Sequence, residues 1–134
     1  MRYLLDTNIC IYIIQRHPVQ VLSRLEALRQ GDVVMSVITY AELRAGLEMH
    51  SSNRPQDERA LGLLTSRIPV VEFNESAATA YGVLRAAVPD RRRDALDRLI
   101  AAHAASLNLI LVTNNEADFA GYPSLTVENW VSSS

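Results

Sequence analysis

Asp6, Glu42 and Asp97 are the acids in this sequence best placed to act together. Asp6 follows a short apolar run at residues 2–5, Glu42 comes soon after a second run at 33–35, and Asp97 stands in the first turn of a helical pattern. Carboxylates gathered in one place repel one another unless a cation lies among them. Oxygen donors without paired histidines or cysteines suit Mg²⁺ or Mn²⁺ better than Zn²⁺. The three histidines, His17, His50 and His103, show no HExxH or paired spacing. The single cysteine, Cys10, makes neither an internal disulfide nor a thiolate zinc site, and reads as a small buried hydrophobe on the first helix. Helix N-termini beside such acids welcome phosphate. A rim with both features suits a metal-bridged phosphate ester.

All 13 basic side chains are arginine, and lysine is absent. That removes a P-loop, whose lysine reaches the β/γ-phosphates. Phosphoacceptor receiver domains and Asp-nucleophile phosphatases also place an Asp after the first strand, but both need a lysine that this chain cannot supply. A net charge of -2 neither announces nor excludes a nucleic-acid partner, because a local arginine patch is what binds phosphate. No apolar run approaches the ~18 residues of a membrane span. The N-terminus enters a strand at once, so no signal peptide is expected, and a reducing cytoplasm is the simplest compartment.

The elements that must carry these acids follow from periodicity. Residues 2–5, 33–35, 68–71 and 109–112 read as short buried strands, and 125–127 as a short fifth. Helical spacing covers 9–15, 19–30, a helix led into by 36–39 and reaching about 49, 58–66, 75–88 and 94–107, with 51–56 the most loop-like stretch. Pro69 favours an edge strand, since it cannot donate to the ladder. Strands alternating with helices predict an α/β fold, with a parallel sheet of four to five short strands between two helical layers. Ligands of such sheets bind beyond the carboxyl ends of the strands. One domain over 1–131 is expected, with 132–134 a frayed tail.

Each acid also has a structural alternative. Asp6 could be a turn residue or cap the first helix, for which Thr7 is also a good N-cap candidate. Thr39-Tyr40-Ala41-Glu42 fits a capping box, in which Glu42 bonds back to the Thr39 backbone. Asp97 suits a helix dipole, with Asp94 the expected N-cap, and Asp118 lies in a loop after the fourth strand. Leu96, Leu99, Ile100, His103 and Leu107 form one apolar stripe, which makes His103 a core histidine. The alanines at 101, 102, 104 and 105 allow close helix packing.

Taken together, the blocks Leu4-Leu5-Asp6-Thr7-Asn8, Ser36-Val37-Ile38-Thr39-Tyr40-Ala41-Glu42-Leu43, Asp97-Arg98-Leu99-Ile100-Ala101-Ala102-His103-Ala104 and Leu111-Val112-Thr113-Asn114-Asn115 resemble the PIN-domain ribonucleases, specifically the VapC toxins. The closing Val127-Glu128-Asn129-Trp130 is similar as well. The resemblance runs end to end and in order. It implies an α/β/α sandwich, and a toxin of a type II toxin–antitoxin system that inhibits translation by metal-dependent cleavage of RNA, with tRNA or another structured RNA as target. It implies 5′-phosphate and 3′-hydroxyl products. It places the catalytic and metal-binding acids at Asp6, Glu42 and Asp97, with Mg²⁺ or Mn²⁺ as cofactor, and polar partners at Thr7, Ser36 and Thr113. Where many members carry a fourth acid, this chain has Asn115, which leaves Asp118 as the nearby carboxylate. For Glu42, the resemblance favours metal binding over the capping box. It further implies a VapB-type antitoxin whose tail occupies a groove on the toxin, a homodimer and a larger complex. Ile9, Ile11, Tyr12 and Ile13 could line that groove or fill the core.

Arg91, Arg92, Arg93 and Arg98 lie beside Asp97 in sequence, and Arg85 is a further candidate for contact with RNA. They are either a solvated charged loop or a phosphate grip, since arginine binds phosphate through planar bidentate geometry. Replacing Arg92 and Arg93 by Ala is expected to weaken RNA binding and flatten its dependence on salt; an unchanged salt slope would remove this loop from the interface. Two other functions remain open at this point. A non-catalytic PIN-like module would bind RNA or protein without cutting, and a different phosphoesterase would turn over small nucleotides or DNA.

Overall fold

The computed structural model describes residues 1–88 and 95–131. In chain order the elements are β1 (Tyr3–Leu5), α1 (Thr7–Gln15), α2 (Val19–Glu26), β2 (Val33–Ser36), α3 (Val37–His50), α4 (Arg54–Arg67), β3 (Val70–Val71), α5 (Glu75–Ala87), α6 (Ala95–Ser106), β4 (Ile110–Val112), a 3₁₀ turn (Glu116–Phe119) and β5 (Thr126–Glu128). The expected cap at Asp94 and the tail at 132–134 lie outside the described residues. Among the described residues, no helix is long and apolar enough to cross a membrane.

The five strands form one parallel sheet in the order β3-β2-β1-β4-β5. Because side chains alternate along a strand, each short run feeds two cores. Tyr3, Leu5, Val33, Met35 and Val112 pack with Ile9, Cys10, Val21, Leu25, Leu47, Leu61, Leu64 and Trp130. That layer is supplied by α1 to α4. Leu4, Val34 and Leu111 face the other way, onto Leu84 of α5 and Ile100, Ala101, Ala102 and Ala104 of α6. A sheet covered on both faces explains why its strands read as unbroken apolar runs rather than alternating ones. The result is the α/β/α arrangement expected from the sequence. Cys10 is fully buried, and that burial pushes its thiol pKa well up.

β3 is an edge strand, and Pro69 precedes it, leaving its carbonyl to accept from Met35 N at 2.9 Å. Two boundaries and one side-chain exposure stand out as different from the expectation. α2 stops at Glu26, short of the turn in which Gly31 takes a positive φ of 95°. α4 begins at Arg54, because Asn53 caps it through Gln56 N. Leu96, assigned to the apolar stripe of α6, is 45% exposed.

At the far edge, Trp130 is buried with its ring edge-on to Tyr3, 5.4 Å between centroids. Its Nε1 donates to Glu128 Oε1 at 2.8 Å. Arg24 of α2 lies over the indole, 5.3 Å from the ring centroid, and pairs with the same Glu128 carboxylate. One indole therefore ties β5 and the C-terminal segment to both β1 and α2.

Candidate functional site

Parallel sheets open a crevice where successive strands depart to opposite sides. Here that point lies between β1 and β4, whose ends are in register at Leu5 and Val112. Asp6 leaves β1 there, its N–H bonded to Val112 O at 3.0 Å. Asp6 caps α1: Oδ1 accepts from Ile9 N at 3.0 Å. Thr7, expected as the cap, is instead the first residue of the helix. Asp6 is only 5% exposed, and its pKa is pushed up to about 6, chiefly by burial, with the Glu42 charge adding to it. Hydrogen bonds from the Thr113 hydroxyl and the Ile9 and Asn8 backbone oppose that rise. Thr113, buried at the end of β4, thus acts on the site through Asp6.

Glu42 arrives by a different route from the one its local sequence offers. Ser36 caps α3, its Oγ accepting from Ile38 N at 3.0 Å, so the helix begins at Val37 and Thr39 is already inside it. The capping box at Thr39 therefore does not form. Glu42 Oε1 accepts instead from Thr7 Oγ1 at 2.5 Å, across from α1, and the same hydroxyl lies 3.3 Å from Thr39 Oγ1. The Ser36 hydroxyl, expected among the polar site partners, is directed to its cap and to His103 Nδ1 at 2.7 Å.

A cavity of about 460 Å³ gathers the remaining groups. Asp6, Glu42, Asp97 and Asp118 line it, together with Asn115, Thr7 and Asn8. The 3₁₀ turn carries Asp118 there, its N–H bonded to Asn115 O at 3.0 Å, while Asn115 N donates to Thr113 Oγ1 at 3.1 Å. Asn8, Ile11 and Leu96 also line the cavity and were not among the sequence candidates. Ile11 was legible, being one helical turn beyond Thr7 on the same face; Leu96 gave no such signal.

The donor chemistry fits a hard divalent cation. Four carboxylates and two amides face one cavity, and burial of Asp6 beside Glu42 is costly without a positive charge to offset it. Among the described residues, no group of three acidic, His or Cys side chains is gathered closely enough to hold a metal as it stands. Glu42, held by Thr7, is one carboxylate that would have to turn.

The arginine candidates divide. Arg98 is buried at 7% exposure, so it is not part of a solvated charged loop. Arg85 is exposed in the last turn of α5. Arg91, Arg92 and Arg93 lie outside the described residues. A second cleft of about 490 Å³ runs between α1, α3 and α4 and shares Ile11 and Glu42 with the acidic cavity. Ile14, Leu43 and Leu47 supply apolar wall. Of the other apolar α1 residues, Ile9 is in the core, and Tyr12 and Ile13 pack against it.

Residues 3–124 match the PIN domain family. The chain is similar to Ribonuclease VapC2 of Rickettsia felis, with 37% identity over 133 residues, covering 97% of this chain and 98% of that one. It is 38% identical over 135 residues to the tRNA(fMet)-specific endonuclease VapC of Shigella flexneri, with 97% and 98% coverage. Its fold matches the crystal structure of VapBC2 from Rickettsia felis bound to a promoter DNA fragment, with a TM-score of 0.88 and 36% identity over 97% of this chain and 99% of that one.

Proposed function

The chain belongs to the PIN domain family and, within it, to the VapC ribonucleases, and from that premise we propose that it cuts structured RNA at the acidic cavity, with Asp6, Glu42 and Asp97 as the working acids. It is an endoribonuclease toxin of a toxin–antitoxin pair. The observation that carries the site assignment is that acids from α3, α6 and the end of β1 line one cavity at the switch point of the sheet.

Asp6, Glu42 and Asp97 would hold Mg²⁺ or Mn²⁺, with Asn115 and Asp118 at the rim. When bound, such an ion lowers the pKa of a coordinated water and offsets charge on the phosphoryl and leaving oxygens. The chain's own part is positional. Asp6 is fixed by Ile9, Asn8 and Thr113, so its carboxylate is presented without a search through rotamers. Thr7 holds Glu42 toward α1 and releases it when a stronger partner competes. No histidine lines the cavity, so proton removal from the attacking water falls to the carboxylates. The substrate we favour is tRNA, since the Shigella flexneri relative is named for its specificity toward tRNA(fMet).

The second cleft, between α1, α3 and α4, is the seat we assign to the VapB-type antitoxin. It shares Ile11 and Glu42 with the acidic cavity, so a segment lying in it also covers an acid.

The test is cleavage of a pool of total tRNA and rRNA by antitoxin-free protein with Mg²⁺ or Mn²⁺, with chelator, and with Asp6→Asn. Discrete fragments only from the metal-replete native protein are expected. Cleavage that survives both chelator and Asp6→Asn would place the site elsewhere. Folded, metal-loaded protein that cuts nothing in the pool would favour a binding module.

A further inference from the structure

His103 lies outside the acidic cavity, yet it joins three elements around it. Its ring is 1% exposed. One nitrogen, Nδ1, is 2.7 Å from Ser36 Oγ at the junction of β2 and α3. The ring also bonds to the backbone of Glu72, and its edge meets Phe73 with 5.3 Å between centroids. The donors can be assigned. Glu72 offers a carbonyl, so the other ring nitrogen, Nε2, carries the proton. Ser36 Oγ already accepts from Ile38 N, which leaves its single hydrogen to be donated to Nδ1. Burial lowers the His103 pKa and keeps the ring neutral, as this tautomer requires.

The two ends of the Ser36–His103 bond belong to helices that carry opposing acids. Ser36 fixes the first turn of α3, and Glu42 is on α3. His103 is on α6, which begins beside Asp97. Resting on the functional reading above, we propose that His103 is a positioning residue for the hydrolytic site: through Ser36 it locks the start of α3 to α6 and so fixes how Glu42 and Asp97 face each other across the cavity. A generic core histidine would need only burial and any satisfied partners. This one satisfies Ser36 in a way that an apolar residue of similar size could not, and leaves the Ser36 hydroxyl no hydrogen to turn toward the cavity.

The test uses substitutions that keep one arm of the ring at a time. His103→Asn places an amide oxygen where Nδ1 stood and retains the acceptor for Ser36. His103→Gln places an amide nitrogen near Nε2 and retains the donor to Glu72. Mn²⁺ affinity is measured by calorimetry on full-length, antitoxin-free variants that keep the native circular dichroism spectrum, with RNA cleavage as a second readout. His103→Asn is expected to bind Mn²⁺ as the native protein does. His103→Gln is expected to bind about tenfold more weakly, the scale seen when an orienting partner of a metal ligand is lost. Ser36→Ala should match His103→Gln, and the double variant Ser36→Ala/His103→Gln should be no weaker than Ser36→Ala, because the two residues act as one link. Native Mn²⁺ affinity in His103→Gln overturns the proposal, as do losses that add in full in the double variant. Should His103→Gln fail to fold, Ser36→Ala decides alone, and native affinity there overturns the proposal too. A native protein that neither binds Mn²⁺ nor cuts RNA would sink the metal-dependent reading itself, and this proposal with it.

Discussion

Asp6→Asn is expected to abolish cleavage and at the same time to make the metal-free protein harder to unfold. Loss of activity is expected to be at least the roughly 100-fold seen when only an orienting partner of a metal ligand is removed, since here a proposed ligand itself goes. The gain in stability follows from the environment of this carboxyl. Its folded pKa of about 6 stands above the ordinary 3.8, so the folded state holds a proton more tightly than the unfolded chain does. Stability from this group is therefore greatest below pH 3.8, falls as pH rises, and is lost once pH passes about 6. The full difference is worth about 3 kcal/mol. Asparagine is neutral at every pH, keeps an oxygen for Ile9 N, and escapes that loss. At pH 7.5 with chelator, Asp6→Asn should melt several degrees above the native protein, and at pH 4 the two should converge. Adding Mn²⁺ should narrow the gap by stabilising the native protein alone. Equal melting temperatures at both pH values would refute the claim that Asp6 is held against its preferred charge.

Trp130→Ala is the most damaging single change predicted outside the acidic cavity. The indole is 1% exposed, meets Tyr3 edge-on, and donates to Glu128. Removing it leaves a large void beside β1 and takes away the surface under Arg24. Truncations of this kind cost about 3–5 kcal/mol, a large part of the stability of an ordinary domain. Urea unfolding should show a midpoint lowered accordingly. Hydrogen exchange should show β5 opening before the rest of the sheet, because β5 pairs only with β4. A loss below about 1 kcal/mol would mean that the C-terminal segment is held by something other than the indole.

Much of the architecture was legible in the sequence, for reasons that particular residues make plain. The runs at Tyr3, Leu4 and Leu5 and at Val33, Val34 and Met35 have no polar alternation, which only a doubly covered strand tolerates. Asp6 could be placed on the rim because it directly follows such a run. What escaped were choices between local solutions of similar strength. Ser36 and Thr39 are both good caps, and the buried His103, distant in sequence, adds a partner for Ser36 that Thr39 lacks. Once α3 starts at Val37, Glu42 turns to Thr7 rather than back to its own helix. The burial of Arg98 and the exposure of Leu96 escaped for the opposite reason. A stripe argument assumes one covered face, whereas α6 buries Arg98, Ile100, Ala101, Ala102, His103 and Ala104 around much of its girth and leaves Leu96 at the open end. The contribution of Asp118 depended on a 3₁₀ turn that the sequence pattern does not specify.

The strand order also governs when the chain becomes dangerous to the cell that makes it. β1 is central, but one of its two neighbours, β4, is synthesised only after β2, β3 and all six helices. Asp6 leaves the ribosome well before Asp97, Thr113 and the β4 edge that supports Asp6. No N-terminal fragment short of α6 holds all three acids. With the three acids as the proposed site, a nascent chain that has not yet reached α6 is expected not to cut the RNAs around it. That order would open a delay between the synthesis of Asp6 and first cleavage, in which an antitoxin at the proposed cleft could act first.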